Sequence, residues 1–459
     1  MTDEPAPGRD EFHIAIICAL GIEAKAVEAL FSTTWSTRAM DKHPDDRNTY
    51  TCGRIGEHLV VLVWMPGIGK TKATSATAHL RFSFKQIKHI LVVGICGGVP
   101  RMGDEEILLG DVIIGMHLQK YDEGKQYPTG YQAGGKCTPN QELRAFLSKL
   151  KDSDASQREL KQLCALHLRD MAARAGFANA QYPGPGEDAL YEASHLHKHY
   201  DESQCRICAT SAVCDAAKDI DCAVLKCGKA HLVERERVKG MESAGADAAT
   251  ATTITSPRIY FGAVGSGDTV MKSGDHRDRV ARQEKIIAFE MEGAGVYEEI
   301  PSVVVIKGVC DYADSHKNKR WQPYAAMTAA ACTRAYLEMK ENETSPTSSS
   351  RAQRGVQYIE EQFHASDAMA ARRGGVLLTR SQRTFQHHAD PARQSSSGHS
   401  TPRGLGLLPR SSVSSRDSRD RDRSPAGERD RTSRRSTNDA GRKDDATPYD
   451  LDPHSSAEH

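Results

Sequence analysis

Acidic side chains stand at the ends of several apolar segments in this sequence, where they could serve acid–base chemistry. Glu23 follows the first apolar run, Glu292 follows a later one, and Asp311 ends the last. Two of them have a structural alternative when taken alone: Glu23 could complement a helix dipole, and Asp311 could cap a helix. Together, three carboxylates at three separate strand ends favour a site for a polar ligand that uses general acid and general base steps.

Two glycine-rich stretches accompany these carboxylates. The first, VVGICGGVP, contains Gly94, Gly97 and Gly98, and the second is GSGDT from Gly265. Glycine lets a ligand approach the backbone closely, although the same residues also suit tight packing or an ordinary turn. We interpret both stretches as turns that face the carboxylates, at the strand ends where open α/β sheets bind ligands.

A third glycine-rich stretch, VVLVWMPGIGKTKATSATAHL, invites comparison with a nucleotide triphosphate loop. That motif requires a glycine, four residues, and then Gly-Lys followed by Ser or Thr. Gly69-Lys70-Thr71 supplies the end of the motif, but Trp64 stands where the first glycine should be. Tryptophan cannot adopt the open backbone of a phosphate-binding loop as glycine can. The spacing therefore disfavours triphosphate hydrolysis.

The segments around these residues alternate between strand-like and helix-like patterns. Uninterrupted apolar runs, typical of buried strands, are FHIAIICAL, HLVVLVWM, HILVVGIC and DVIIGM, and after residue 258 IYFGAVGSGD, KIIAFEME and SVVVIKGVCD. Helical spacing occurs between them and again from about Pro323 to Lys340. The alternation predicts an α/β fold with a mainly parallel central sheet and helices on both faces, which makes three layers, α/β/α.

We expect one folded domain over residues 12–340, interrupted by a polar, cysteine-containing helical insertion at about 140–256. Residues 341–459 are rich in Ser, Arg and Asp and poor in aliphatic residues. Such a segment cannot bury enough apolar surface to offset its ordering entropy, so we expect a disordered tail. The near balance of Arg and Asp in it disfavours a nucleic-acid-binding arm.

Charge and hydropathy disfavour several other classes of protein. Lys plus Arg and Asp plus Glu both number 61, so a formal net charge of zero gives no general attraction to nucleic acid or anionic membranes. No apolar run approaches the ~18 residues of a membrane helix. The acidic start MTDEPAPGRDEF is not a secretory signal. These features predict a soluble cytoplasmic protein, with the nucleus as the alternative compartment.

An ordered set of motifs resembles the nucleoside phosphorylase superfamily: ICALGIEAKAV, MPGIGKTKA, VVGICGGVP, LLGDVII, GSGDTVMKSG, FEMEGAGV and GVCDYADSHKNKRW. The resemblance is nearest to the methylthioadenosine/adenosylhomocysteine nucleosidase-like branch found in fungal proteins, over roughly residues 12–136 and 256–340. It implies a mixed, mainly parallel central sheet. It also implies cleavage of the N-glycosidic bond of a purine nucleoside or nucleotide, without a cofactor and often in a homo-oligomer. In that family the PGIGK position is a turn between a strand and a helix.

The resemblance also implies roles for individual residues. Asp311 matches the general acid that donates to the departing purine, and Glu23 matches the residue that activates water. The matched substrate-binding positions are Glu292 and Met291 at the ribose, Val270 and Met271 at the base, and Gly94, Ile95, Cys96 and Gly97 in the stretch VVGICGGVP.

The nucleophile separates two reactions within the family. Its phosphorylases hold phosphate with an Arg after the first strand and with a hydroxyl side chain in the glycine-rich stretch that corresponds to VVGICGGVP. Here Glu23 has no Arg nearby and Ile95 takes the hydroxyl position, so we expect hydrolysis, with phosphorolysis as the alternative. A catalytically silent module that senses a nucleoside is a further alternative. Phosphates of a nucleotide substrate could meet Lys70, Lys72, Arg101 and Lys272.

The expected insertion contains a cysteine-rich stretch, CRICATSAVCDAAKDIDCAVLKC, with His195, His197 and His199 just upstream. A Cys-x-x-Cys pair followed by further cysteines can form a tetrahedral zinc site. One hypothesis is therefore a structural zinc held by Cys205, Cys208, Cys222 and Cys227. The alternatives are reduced thiols without metal, which suit a chain without a secretory signal, and redox chemistry.

Overall fold

A computed structural model of the chain describes residues 5–36, 41–201, 205–210, 212–244 and 256–344. All of them fall within one of the chain's two units, Met1–Arg383. The expected tail lies outside the described residues from residue 345 onward, so its disorder stays a prediction. None of the described helices is long and apolar enough to cross a membrane.

Ten of the fourteen strands in the described residues form one sheet. In chain order the strands are β1 (Ile14–Cys18), β2 (Thr33–Trp35), β3 (Thr49–Ile55), β4 (His58–Trp64), β5 (His89–Gly98), β6 (Arg101–Met102), β7 (Glu105–Glu106), β8 (Val112–Lys120), β9 (Gly124–Tyr127), β10 (Gly130–Ala133), β11 (Lys136–Cys137), β12 (Ile259–Ser266), β13 (Ile286–Glu290) and β14 (Val303–Asp311). Every residue of β1, β13 and β14 is buried. The apolar runs of the sequence are thus buried strands, as predicted.

The large sheet is mixed, with parallel pairs through its centre. Its strand order is β11-β8-β12-β13-β5-β1-β4-β3-β2, and β14 pairs with both β5 and β8. β1 runs parallel to β4 and β5, and β14 runs parallel to β5. The pairs of β13 with β5 and of β14 with β8 are antiparallel. The predicted mixed sheet is confirmed, and through β14 it also closes on itself, which the sequence did not indicate.

Nine helices of four or more residues with α-helical bonding occur in the described residues. They are α1 (Gly21–Glu28), α2 (Lys70–Ser83), α3 (Gln141–Asp152), α4 (Asp154–Ala172), α5 (Cys222–Leu225), α6 (Glu236–Ala244), α7 (Gly274–Glu284), α8 (Gly293–Glu299) and α9 (Gln322–Thr344). Polar side chains start two of them: Asn140 accepts from the backbone N–H of Leu143, and Ser153 accepts from that of Ser156. Both are N-caps of the kind that helix starts favour.

Helices α3 and α4 belong to the main core, although they lie at the start of the expected insertion. α4 packs against α9, which in turn packs on β5 and β14. Leu143, Phe146, Leu147 and Leu150 recur at helical spacing on α3 and are buried in the main core. The part of the insertion with a separate small core lies later in the chain, around Tyr191 to Cys227.

The glycines of VVGICGGVP, which we interpreted as a turn, are part of β5. Gly94 pairs with Lys307 and Gly97 pairs with Asp311, so β14 extends the ladder along the whole stretch. β13 also pairs with Gly97 and Gly98, so that Gly97 has a neighbouring strand on each side. The expectation of a turn here is wrong, because two neighbouring strands satisfy the backbone hydrogen bonds that keep it extended.

Candidate active site

Glu23 lies in the first turn of α1, directly after β1, and is buried. Its Oε2 accepts hydrogen bonds from the backbone N–H groups of Ala19 (2.9 Å) and Leu20 (2.8 Å). These two bonds are those of a carboxylate that caps its own helix, so the structural alternative for Glu23 is part of its role. Its Oε1 accepts a hydrogen bond from the backbone N–H of Ile95 at 2.8 Å. This bond connects the carboxylate to β5.

Gly94 makes room for this carboxylate. A Cβ atom at Gly94 would lie 2.1 Å from Glu23 Oε1, closer than any side chain tolerates. Ile95, at the position where a hydroxyl side chain would favour phosphate, is half-buried, and its backbone N–H is taken by Glu23. Gly94 therefore lets another group approach the backbone closely. That group is the carboxylate of Glu23, whereas we expected a ligand.

Glu292 follows β13 and is buried between a loop and β14. Its Oε1 accepts from the backbone N–H of Gly69 at 3.3 Å, and its Oε2 lies 2.9 Å from Lys307 Nζ. Gly69 has a φ of 117°, in the range that favours glycine. The PGIGK loop thus supplies a backbone donor to a carboxylate.

Lys70 ties the same loop to its neighbours. Its Nζ forms ion pairs with Asp122 (2.8 Å) and Glu123 (2.7 Å), and its backbone N–H donates to Asp268 Oδ1 at 2.7 Å. Because Asp268 belongs to GSGDT, three loops meet at this lysine, and its ammonium is engaged by carboxylates. The other cations considered for phosphate contact, Lys72, Arg101 and Lys272, are exposed.

A buried lysine joins the carboxylates, and we did not single it out from the sequence. Lys307 is 1% exposed, and its Nζ lies 2.9 Å from Glu292 Oε2 and 3.9 Å from Glu290 Oε2. Burial disfavours its charge, but the charges of Glu292, Glu23 and Glu290 outweigh burial, so the pKa of Lys307 is raised. Its signal in the sequence is a single charge inside the apolar run SVVVIKGVCD.

Burial raises the pKa of two carboxyl groups around this lysine, Glu23 and Glu290, while the charge of Lys307 opposes the shift. Glu290 accepts from the backbone N–H groups of Glu292 (3.0 Å) and Gly293 (2.9 Å). These bonds fix the backbone that carries Glu292. Glu290 is therefore a positioning residue for Glu292, which agrees with its place at the strand end.

Asp311 ends β14 and is 5% exposed. Its Oδ1 accepts from the backbone N–H of Ala313 at 2.9 Å, and its Oδ2 lies 3.2 Å from Lys317 Nζ. The Cys310 thiol is within hydrogen-bond distance of Asp311 Oδ2 (3.2 Å) and of the Cys96 carbonyl (3.4 Å). Burial disfavours the charge of Lys317, but Asp311 outweighs it and raises the pKa of the ammonium. A second lysine is thus part of the site.

Strand β5 brings the three predicted carboxylates together. Ile95 donates to Glu23, while Gly97 pairs with Asp311 and with β13, the strand that precedes Glu292. Ile95 and Gly97 are two residues apart, which is roughly 7 Å along a strand. β5 therefore contacts Glu23, pairs with Asp311 and pairs with the strand that leads to Glu292, although these three residues are far apart in the sequence.

Apolar side chains border this stretch. Met271 is buried in a small apolar cluster that also contains Phe289 and Ala313. Ala313 lies two residues after Asp311 in the chain. Met291 is half-buried, and Val270 is 45% exposed. A cavity of about 930 Å³, bordered by residues of α4, α6 and β12, contains none of these side chains. The apolar surface next to the acids is therefore that of Met271 and its cluster.

The cysteines expected to share one zinc site are divided between two groups. These groups are His199, Cys205, Cys208 and Cys214, and His197, Cys222 and Cys227. The expected four-cysteine ligand set is thus not the one that the fold brings together. Each Cys pair is joined by a different histidine, and the first pair is also joined by Cys214.

Residues 13–177 match the family described as Phosphorylase superfamily. A protein of Hyaloscypha variabilis described as a nucleotide-binding leucine-rich repeat (NLR)-like protein is 28% identical over 342 residues, which are 72% of this chain and 30% of that protein. This chain therefore spans less than a third of the length of that relative.

Two solved structures illustrate what the chain is similar to in three dimensions. The methylthioadenosine/adenosylhomocysteine nucleosidase of Streptococcus pneumoniae, in complex with 8-aminoadenine, is 18% identical, with a TM-score of 0.40 over 71% of this chain and 99% of that one. The futalosine hydrolase of Helicobacter pylori is 15% identical, with a TM-score of 0.40 over 72% and 98%. Residues 13–177 are thus similar to the Phosphorylase superfamily, and the mixed α/β fold of the chain agrees with that match.

Proposed function

We propose that this domain cleaves the N-glycosidic bond of a purine nucleoside or nucleotide and that water is the nucleophile. The observation that carries the proposal is that β5 contacts Glu23, pairs with Asp311 and pairs with the strand that leads to Glu292. Such a reaction needs a group that activates water, an acceptor for the sugar hydroxyls and a proton for the departing base. The three carboxylates supply one candidate for each task.

Glu23 is the proposed water-activating base. A carboxylate has about four lone-pair positions, and the backbone N–H groups of Ala19, Leu20 and Ile95 occupy three of them. The remaining position can accept a hydrogen bond from water. Because burial raises its pKa, Glu23 is a stronger base than an exposed glutamate.

Glu292 is the proposed acceptor for the ribose hydroxyls. Its contacts with the Gly69 N–H and with Lys307 leave about two of its four lone-pair positions. Two hydroxyl groups on neighbouring carbons can donate to these positions. Lys307 compensates the buried charge and fixes the carboxylate from the side of β14.

Asp311 is the proposed source of the proton that the base takes as it leaves. Lys317 lies 3.2 Å from its Oδ2, so the proton can come from the carboxyl group itself or, through it, from the ammonium. Met271 and Ala313 provide apolar surface beside it for a flat heterocycle. A purine therefore suits the site better than a small polar leaving group.

Water is favoured over phosphate because of what surrounds Glu23. Its carboxylate fills the space above Gly94 and takes the N–H of Ile95, so a phosphate in this place would meet a negative charge. The cation nearest to these groups, Lys307, is already paired with Glu292. Phosphorolysis lacks a comparable set of donors among the described residues around Glu23.

The test is chromatographic detection of free base from adenosine, inosine, AMP and ATP, with and without inorganic phosphate. We expect base release without phosphate, and the four substrates decide between nucleoside and nucleotide. Release that requires phosphate would overturn water as the nucleophile. No release from any substrate, with binding intact, would contradict cleavage itself.

A sensing module without turnover is the second candidate, favoured by the relative described as an NLR-like protein. An Asp311→Asn variant separates the two functions. If the domain is an enzyme, the variant loses base release and keeps ligand affinity in calorimetry. If it is a sensor, the wild-type chain binds the ligand and releases no base.

A further inference from the structure

The first group of cysteine and histidine side chains in the insertion has the dimensions of a metal site. Cys208 Sγ and Cys214 Sγ each lie 3.6 Å from His199 Nδ1. These two atoms and Cys205 Sγ all lie within 4.8 Å of one another and of the histidine nitrogen. Around a tetrahedral zinc ion, with Zn–S near 2.3 Å and Zn–N near 2.0–2.1 Å, sulfur and nitrogen ligands are roughly 3.6 Å apart.

The second group has the same dimensions. Cys222 Sγ and Cys227 Sγ each lie 3.5 Å from His197 Nδ1. The other ring nitrogen of His197 lies 2.8 Å from the Ile220 carbonyl, to which it can only donate. Nδ1 then carries the lone pair and faces the two sulfurs, which is the orientation of a histidine that binds a metal.

The backbone around the first group fits a metal-bound thiolate as well. The N–H of Cys214 donates to Cys208 Sγ at 3.5 Å. Backbone N–H groups directed at a sulfur stabilise a thiolate and hold it in place.

Part of the insertion, the segment around Tyr191 to Cys227, is separate from the main core. Its own core consists of Tyr191, Cys208, Cys214, Ala217, Leu225 and Cys227, so half of its buried members are cysteines. A core this small does not stabilise an irregular segment without disulfides or metal. All twelve cysteines of the chain are free thiols. A bound metal is therefore the remaining kind of cross-link for this segment.

We propose that the insertion binds two structural zinc ions. The first is held by His199, Cys205, Cys208 and Cys214, and the second by His197, Cys222 and Cys227. The second centre has three ligands among the described residues, which leaves one coordination position for water or a further ligand.

The second centre lies against the segment that follows Asp311. The backbone N–H of His197 donates to Ser315 Oγ at 3.2 Å. The rings of Tyr191 and His316 stack with their centroids 3.9 Å apart. Metal in the insertion would therefore fix the segment between Asp311 and Lys317, so the zinc ions act on the candidate active site as positioning elements.

The first test is metal content of the full-length chain after dialysis against metal-free buffer, measured by plasma mass spectrometry. We expect about two zinc ions per chain. X-ray absorption should show a mixed shell of sulfur near 2.3 Å and nitrogen near 2.0–2.1 Å. About one ion per chain or fewer, or disulfides among these cysteines in the purified protein, would overturn the proposal of two centres.

Single variants test the ligand sets. Cys214→Ser and Cys222→Ser should each bind about one zinc ion, because each removes a ligand from a different centre. His231→Gln is the control: its side chain is 48% exposed and it belongs to neither group, so it should keep both ions. Loss of an ion in His231→Gln, or full content in both cysteine variants, would refute the assignment.

Cobalt substitution of the wild-type chain covers the case in which the variants do not fold. Two tetrahedral cobalt centres with five thiolates in all should give strong thiolate-to-cobalt charge-transfer absorption that saturates at about two equivalents. Saturation at one equivalent would contradict the second centre. This readout is independent of base release, so its outcome does not depend on the proposed function.

Discussion

At the scale of single residues, the least expected feature is a lysine with almost no exposed surface. Lys307 lies against Glu292 and Glu290, and the charge of Glu23 also raises its pKa. Removing one partner of a buried ion pair leaves the other charge without compensation. The acidic side chains around Lys307 therefore depend on it for the compensation of their buried charge.

We expect Lys307→Met to lower the free energy of unfolding by ~3–5 kcal/mol, the usual cost of breaking a buried ion pair. The measurement is chemical denaturation of the variant and the wild type. Lys125→Met, at an exposed lysine on β9, is the control and should change stability little. Equal stability of the two variants would show that the carboxylates are not charged as we describe.

The raised pKa of Glu23 predicts the pH dependence of catalysis. Glu23 must be deprotonated to activate water, so kcat/KM should rise with pH as this carboxyl group loses its proton. Because burial shifts its pKa upward from 4.5, the inflection should lie above that value. A pH profile of base release measures it, with Glu23→Gln as the variant that should lose both the rate and this inflection. An inflection at or below 4.5 would contradict the role.

Gly94 gives a second prediction at this scale. Gly94→Ala would bring a Cβ atom to 2.1 Å from Glu23 Oε1, so the carboxylate must move. Displacement by about 1 Å can cost ~10²-fold in rate, and we expect a loss of kcat of that order. Gly135→Ala, where nothing lies within 4 Å of the new Cβ, is the matched control. Similar kcat values for the two variants would argue against Glu23 as the base.

At the scale of elements, α3 and α4 enlarge the fold beyond the segments in which we recognised the family. The family match extends to residue 177 and so includes both helices. Their burial against α9 follows from an apolar stripe on α3 and from Leu160, Leu163 and Leu168 on α4. Polar residues on the other faces of these helices made the region resemble an insertion.

Leu147→Ala tests whether α3 is part of the main core. Leu147 is 0% exposed, so the variant should lose ~2–5 kcal/mol of stability, as buried leucines do. Ser148→Ala, at the exposed neighbouring position, should be close to neutral. Thermal unfolding followed by circular dichroism measures both, and a single transition that shifts only in Leu147→Ala is expected. A neutral Leu147→Ala would place α3 outside the cooperative core.

At the scale of the whole molecule, the insertion and the candidate active site are coupled through the segment after β14. His197 and Tyr191 contact Ser315 and His316, which lie between Asp311 and Lys317. Order in the insertion therefore controls how the proposed proton donor is held. This coupling depends on both proposals, the zinc centres and base release.

We expect chelation of zinc to slow base release while the main sheet stays folded. The reason is that Asp311 loses its support from the insertion, whereas Glu23, Glu292 and Lys307 are held by β5 and β14. Kinetics before and after treatment with a chelator, with circular dichroism as the check on the fold, measure the effect. Readdition of zinc should restore the rate. Unchanged kinetics in metal-free protein would remove the coupling, without bearing on the metal sites themselves.

The sequence by itself determined the buried strands, because continuous apolar runs are local patterns, and it predicted three acidic site residues from their places at strand ends. Contacts between distant segments are not local, and only the tertiary structure decided them. Lys307 acquires its partners because β14 lies beside β5, and the glycines after Val93 remain in a strand because β13 and β14 pair with them. The cysteines likewise sort into two groups according to which histidine the chain brings near each pair, and spacing along the sequence carries no information about that distance.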